Sequence, residues 1–334
     1  MNSFGRIFRV SIYGESHGTG VGVVLDGVPA GIPLDVSDFA ADIERRRAGK
    51  PGTTPRAEKD QPQLLNGVFE GYTTGFPLHI HFANKDTDSK SYDNLKFVPR
   101  PGHSDFTAYK KHAAYNDYRG GGHFSGRITV GIVAAGVVAK KLIGQMDVQA
   151  KLLHAGGNTD TVSAAVKAQQ DRDSLGGLAE VRVNNVPAGL GEPFFGSVES
   201  TISQLIFSVP GTKGIEFGTG FGCASMHGSE FNDEFITADG KTKTNHSGGI
   251  NGGITNSNEI VFKVAIRPTS SIGKTQHSVN LKTGEIEELG IRGRHDACIA
   301  LRFPPVLEAM TAIAMADLLA ISQFTNSKAT VKER

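Results

Sequence analysis

Apolar and polar positions alternate along several short stretches of the chain: Arg9 to Tyr13, Gly22 to Leu25, Pro77 to Phe82, Glu180 to Asn184 and Glu259 to Ile266. A period of two predicts strands with one face in a core. Elsewhere the spacing is helical. Ser37 is placed to cap a helix running to about Arg47, with Phe39 and Ile43 one turn apart and Arg45, Arg46 and Arg47 in the last turn. Ile128 to Ile143 is small and apolar on almost every side, the pattern of a helix buried between layers. Ser197 to Phe207 predicts another helix. So does Pro305 to Leu319, entered through Pro304 and Pro305 and carrying Val306, Met310, Ile313 and Leu318 as a core stripe.

Strands and helices are mixed throughout, which predicts an α/β chain. Val-Pro-Ala-Gly occurs at Val28 to Gly31 and again at Val186 to Gly189, each time after a strand and before a helix with a serine cap. Either the fold contains a duplicated strand-turn-helix unit or the match is chance. No linker divides the chain, so residues 1–325 are expected to form a single domain, with loops at Lys50 to Asp60 and Gly240 to Gly253. Residues 326–334 are expected to be a disordered tail.

Composition narrows the function. The 334 residues include 38% apolar ones, enough for an extensive core, and a formal charge of only +1 leaves no whole-chain field for nucleic acid or an anionic membrane. Any anionic partner must be met locally. The longest apolar run, Gly131 to Ala139, stops at Lys140-Lys141, short of the ~20 residues of a membrane span, and no secretory h-region is present. Cys223 and Cys298 provide neither a disulfide framework nor a zinc knuckle, and thiols this sparse suit a reducing compartment, so a cytoplasmic protein is expected. No metal site is expected.

Familiar nucleotide signatures fail. Gly18-Thr-Gly-Val-Gly22 and Gly218-Thr-Gly-Phe-Gly222 have the wrong final spacing for a dinucleotide fingerprint. The P-loop imitation Pro268-Thr-Ser-Ser-Ile-Gly-Lys-Thr275 begins with a residue that lacks an amide donor. What remains are histidines beside glycines: Gly14-Glu-Ser-His-Gly18, Arg100-Pro-Gly-His-Ser-Asp105 and Gly293-Arg-His-Asp296. In the second cluster Asp105 is placed to orient the ring of His103. Guanidinium forks match carboxylate and phosphate oxygens in pairs, and Arg46, Arg119, Arg127, Arg292 and Arg294 lie near these turns. Converging on one cleft, they would form a pocket for a small polyanion with histidines to move protons. On the residues alone, two other readings stay open: a non-catalytic sensor of a phosphorylated metabolite, and a flavin reductase using NADPH.

These clusters, in this order, resemble the chorismate synthase family over nearly the whole chain. The resemblance rests on Gly14-Glu-Ser-His-Gly18, Arg45-Arg-Arg47, Arg100-Pro-Gly-His103, Asp117-Tyr-Arg-Gly-Gly-Gly122, Gly248-Gly-Ile-Asn-Gly-Gly253, Pro268-Thr-Ser-Ser-Ile272 and Gly293-Arg-His-Asp296. It implies a β-α-β sandwich with long buried helices between antiparallel sheets, assembled as a homotetramer. The implied activity is a carbon-oxygen lyase of the shikimate pathway. It eliminates phosphate from 5-enolpyruvylshikimate 3-phosphate, a phosphorylated dicarboxylate, with reduced FMN as cofactor; no separate reductase domain is visible in the sequence, so an external flavin reductase is expected to supply it. The resemblance also implies roles. His17 would protonate the leaving phosphate, His103 would protonate or hydrogen-bond the reduced flavin near N1, and Ser16 with Asp296 would form a relay that keeps flavin N5 able to accept the substrate proton. Flavin contacts would come from His123, Phe124, Ser125, Gly252, Arg267, Pro268, Thr269, Ser270, Ser271 and Arg294. Arg46, Arg127 and Arg292 would bind substrate, with Arg46 also meeting NADPH in members that reduce their own flavin.

Overall fold

The computed structural model describes residues 2–55, 58–86, 92, 95–291 and 295–325. The expected tail, Asn326 to Arg334, lies outside them, as do Arg292 and Arg294. Most strands form two antiparallel sheets. In the first, β1 (Ser3–Phe4), β2 (Arg9–Gly14), β3 (Gly20–Asp26), β4 (Gln63–Asn66) and β7 (Leu78–Ala83) stand in the order β1-β2-β3-β7-β4. In the second, β8 (Asp147–Ala155), β9 (Gly177–Asn184), β10 (Thr212–Phe217) and β13 (Ile260–Ile266) stand in the order β8-β9-β13-β10. Short hairpins pair β5 (Val68–Phe69) with β6 (Tyr72–Thr73), β11 (Ile250–Asn251) with β12 (Ile254–Thr255), and β14 (Gln276–Val279) with β15 (Ile286–Leu289).

The helices are α1 (Ala40–Arg46), α2 (Asp105–Lys111), α3 (Thr129–Leu142), α4 (Thr161–Gln170), α5 (Val198–Ser208), α6 (Gly228–Phe231) and α7 (Pro304–Thr325). Helices α3 and α7 pack on each other; α3 covers β3 and β7 of the first sheet, and α7 covers β8 and β9 of the second. Long helices thus lie between antiparallel sheets, in the sandwich that the resemblance implies. Every residue of α3 from Thr129 to Ala139 is buried, which is why the segment is apolar all round. The two helices touch closely because Gly136 has no side chain: a Cβ there would lie 2.3 Å from the Cβ of Ala309. Helix α7 is long and apolar enough to cross a bilayer, and most of it is buried inside this core. Its carboxylates are satisfied within the protein. Glu308 accepts Arg45 Nη1 and Nη2 at 2.7 and 2.6 Å and the Ala150 amide at 3.0 Å, while Asp317 accepts the amides of Arg6, Ile7 and Phe8.

The repeated tetrapeptide marks a duplication. Each copy of Val-Pro-Ala-Gly follows the second strand of an antiparallel pair, β2-β3 or β8-β9, the latter with α4 inserted between its strands, and leads into a helix (α1 or α5). Then come an edge strand (β4 or β10), a small hairpin (β5-β6 or β11-β12), an inner strand (β7 or β13) and a long core helix (α3 or α7). The spatial orders β2-β3-β7-β4 and β8-β9-β13-β10 are the same path drawn twice. Chance is thereby replaced by internal repetition.

The expected helix at Ser37 opens as a 3-10 turn over Val36–Phe39, and its cap is Asp35, whose Oδ1 accepts the Ser37 amide at 2.8 Å. Helix α7 continues past Leu319 to Thr325.

Candidate active site

The loops that follow β2, precede α3 and precede α7 meet in a cavity of about 370 Å³ between the two halves. Ser16 and His17 enter from the turn between β2 and β3. They are held against the glycine run before α3: the Ser16 amide donates to the Gly122 carbonyl at 3.1 Å. Gly120 has a φ of 58°, and a Cβ on it would lie 2.6 Å from the His17 ring. That conformation suits glycine, and the missing side chain is the space His17 occupies. Tyr92 packs edge-on to His17, with centroids 5.3 Å apart.

His103 belongs to a three-residue unit. Its Nδ1 lies 2.6 Å from Asp105 Oδ1, and Arg100 clamps the same carboxylate through Nε at 2.7 Å and Nη2 at 2.9 Å. Burial would raise the Asp105 pKa, but the hydrogen bonds from Arg100 and His103 outweigh it and hold the carboxyl well below its ordinary range. His103 is pushed down, chiefly by burial, with the Asp105 bond in partial opposition. The ring is therefore neutral near pH 7, with its proton on Nδ1 toward Asp105, and among the described residues no hydrogen bond takes Nε2, which is left for a ligand. Arg100 Nη1 also donates to Ser271 Oγ at 3.0 Å, and Ser270 Oγ donates to the Gly102 carbonyl at 3.0 Å, so the segment 267–271 is fastened to the His103 turn. Arg267 reaches Ser270 Oγ at 2.5 Å, and burial lowers its pKa.

A buried charge cluster forms another wall. Asp60 accepts Arg46 Nη1 at 3.3 Å through one oxygen and a short bond from Arg127 Nη1 through the other. Arg46 also donates to Thr129 Oγ1 at 2.9 Å and to the carbonyls of Gly126 and Arg127, so among the described residues one Nη1 hydrogen is left for a ligand. Burial, aided by the nearby Arg302, pushes the Arg46 pKa down to about 9. Asp296 accepts the Thr54 amide at 2.8 Å and Arg302 Nη1 at 3.0 Å. Next to it, burial and the charge of Arg100 push His295 down to about 4.

Sequence-predicted residues thus gather in one place: Ser16, His17, Arg46, His103, Phe124, Ser125, Arg127, Arg267, Thr269, Ser270, Ser271 and Asp296 all line the cavity. Pro268 sits within the same segment without lining the wall. Two residues lie elsewhere. Gly252 is at the turn of the β11-β12 hairpin, and His123 Nδ1 donates to the Gly14 carbonyl at 2.7 Å, bolting the glycine run to the end of β2. His295, the histidine of the third glycine-flanked cluster, lines the cavity too, and so do Asp60 and Arg302, which the sequence had not singled out. A larger cavity of about 580 Å³ beside β1 and the end of α7 contains no histidine in its wall, so the chemistry points to the smaller one.

Among the described residues, three buried polar atoms of the smaller cavity's wall have no hydrogen-bond partner: Arg127 Nη2, Thr269 Oγ1 and His295 Nε2. Such atoms are costly unless a ligand meets them. Guanidinium, hydroxyl and neutral imidazole groups beside Phe124, Pro210 and Phe303 suit a ligand with both a planar ring and anionic oxygens.

The sandwich and its cationic, histidine-bearing cavity define an enzyme built for a small polyanion. The family profile for chorismate synthase matches residues 8–320. The chain is 55% identical over 327 residues to a chorismate synthase of Chitinophaga pinensis, with 98% of each chain covered. It is 42% identical over 359 residues to that of Methanosarcina mazei, again with 98% of each covered. A solved structure described as the crystal structure of chorismate synthase matches with a TM-score of 0.72 at 23% identity, over 96% of this chain and 93% of the other, and shares the fold. The chain belongs to the chorismate synthase family.

Proposed function

We propose that this chain converts 5-enolpyruvylshikimate 3-phosphate to chorismate and inorganic phosphate by an anti-1,4 elimination, with reduced FMN bound in the cavity. The observation that carries the reading is the meeting of His17, His103 and the Arg46–Asp60–Arg127 cluster in one cavity of a chain from this family. The segment 267–271 with Phe124 and Ser125 would hold the flavin, and Thr269 Oγ1 is a buried group ready for it. When bound, reduced FMN supplies electron density that assists phosphate departure and is then regained, so no net redox change results.

The protein's own part is anion binding and proton movement. Arg46 and Arg127 neutralise the substrate's oxygens in a buried setting, where guanidinium bonds are strong. His17 delivers a proton to the leaving phosphate, and the proton lost from the ring carbon passes toward Ser16 and Asp296. His103 Nε2, held in a fixed tautomer by Asp105, hydrogen-bonds the cofactor. An external reductase supplies the reduced flavin, and the Arg46 donor left over among the described residues would meet NADPH in a member that reduces its own flavin. A cytoplasmic homotetramer is the proposed working form.

The test is phosphate release, followed anaerobically with reduced FMN, substrate and no NADPH. Turnover under those conditions supports the reading. The same speed with oxidised FMN, or with none, would refute it.

A further inference from the structure

The duplication has a counterpart in the cavity. Arg127 lies in a 3-10 turn, Gly126–Ile128, two residues before the first residue of α3. Arg302 ends a 3-10 turn, Ile299–Arg302, two residues before the first residue of α7, the equivalent helix of the second half. Each arginine gives one Nη1 to a carboxylate of the wall, Asp60 for Arg127 and Asp296 for Arg302. Arg46 joins them, since its Nη2 reaches the Arg127 carbonyl at 3.3 Å and its own carbonyl accepts Arg302 Nε at 2.9 Å. In this cluster three guanidiniums therefore share two carboxylates; among the described residues the cavity wall also holds Glu58 and Asp86, set against Arg47, Arg100 and Arg267, so the wall stays net positive. The amide end of α3 adds partial positive charge there.

Arg302 is not used up by these bonds. Nε and Nη1 are engaged, but among the described residues no hydrogen bond takes Nη2, and the side chain keeps 22% exposure in a wall of the cavity. The lowered pKa of Arg46, partly caused by Arg302, agrees with cationic crowding that an anion would relieve.

We infer that Arg302 is a further substrate-binding residue, the second-half counterpart of Arg127, and that its Nη2 donates to an anionic oxygen of the phosphorylated dicarboxylate. This rests on the reading of the cavity given above. The test is equilibrium binding of 5-enolpyruvylshikimate 3-phosphate to the full chain by titration calorimetry. Arg302→Gln should weaken it by about 10- to 100-fold, as expected for a lost charge-assisted hydrogen bond, while Arg302→Lys keeps most of the affinity. Wild-type affinity in Arg302→Gln would overturn the inference. So would an equal loss in both variants, because a residue that only positions Asp296 and Arg46 is not rescued by a bare ammonium. If Arg302→Gln fails to fold, wild-type enzyme can be treated with phenylglyoxal and digested. Substrate should shield Arg302 from modification, and undiminished labelling would overturn the assignment. A wild-type chain that does not bind this substrate would instead refute the proposed function.

Discussion

Thr73 and Thr255 do the same work in the two halves of the chain. Each hydroxyl donates to a proline carbonyl at 2.6 Å, Pro29 for Thr73 and Pro187 for Thr255, and accepts the amide three residues further along, from Ile32 at 3.0 Å or Leu190 at 2.9 Å. Each backbone carbonyl also takes the amide of the following glycine of the tetrapeptide, Gly31 or Gly189. Thr73→Val and Thr255→Val should each strand a buried amide and carbonyl and cost about 1–3 kcal/mol. Since the turns lie in different halves, the double variant should show the sum, and urea unfolding checks both points.

Gly120→Ala should damage the site more than the fold. The new methyl would occupy the space of the His17 ring, on a backbone with positive φ. Turnover should fall by about 10²-fold or more while the urea midpoint moves little. Wild-type turnover would show that His17 need not stand where the structure puts it.

His17→Ala and Asp105→Asn separate the two proton roles. Loss of His17 should lower turnover by ~10²-fold or more with FMN affinity nearly unchanged. Asp105→Asn removes the charge that favours protonated His103 and leaves one acceptor oxygen where His103 and Arg100 shared two, so the His103 pKa should fall further and its tautomer be less firmly anchored. Nitrogen NMR of the imidazole reads that change independently of turnover, and an unaltered His103 spectrum would remove Asp105 from the argument.

Acid should destabilise the protein through His295. In the unfolded chain the ring protonates near pH 6.5, whereas the buried ring stays neutral down to about 4. The unfolded state therefore binds the proton first, and stability present above pH 6.5 is lost as the pH falls toward 4. The loss should reach roughly 2 kcal/mol by pH 5. Urea unfolding of wild type and His295→Gln at pH 7.5 and 5 isolates this part; a pH-independent difference between them would refute it.

Much of this arrangement was legible in the residues. The buried helix α3 announced itself because it is apolar on every side, and the tetrapeptide repeat located both halves. Strand β10 carries a glycine and a lysine that blur alternation, and α4 is rich in small residues without a strong apolar stripe, so neither stood out. In the site, glycine-flanked histidines were visible because glycine beside chemistry is a local signal. Asp60 was not, since its importance comes from Arg46 and Arg127, which are 14 and 67 residues away along the chain. Arg302 gave no signal either, because its neighbours Asp296 and the Arg46 carbonyl are assembled only by folding.

The close contact of Gly136 with Ala309 sits on the seam between the halves, with the cavity further along the same pair of helices. A bulkier residue at either position would lever α3 away from α7. The first thing to suffer would be the span between the arginines at the mouths of those helices, well before either half lost its own sheet. Affinity for the polyanion is thus a gauge of how tightly two ancient copies remain shut.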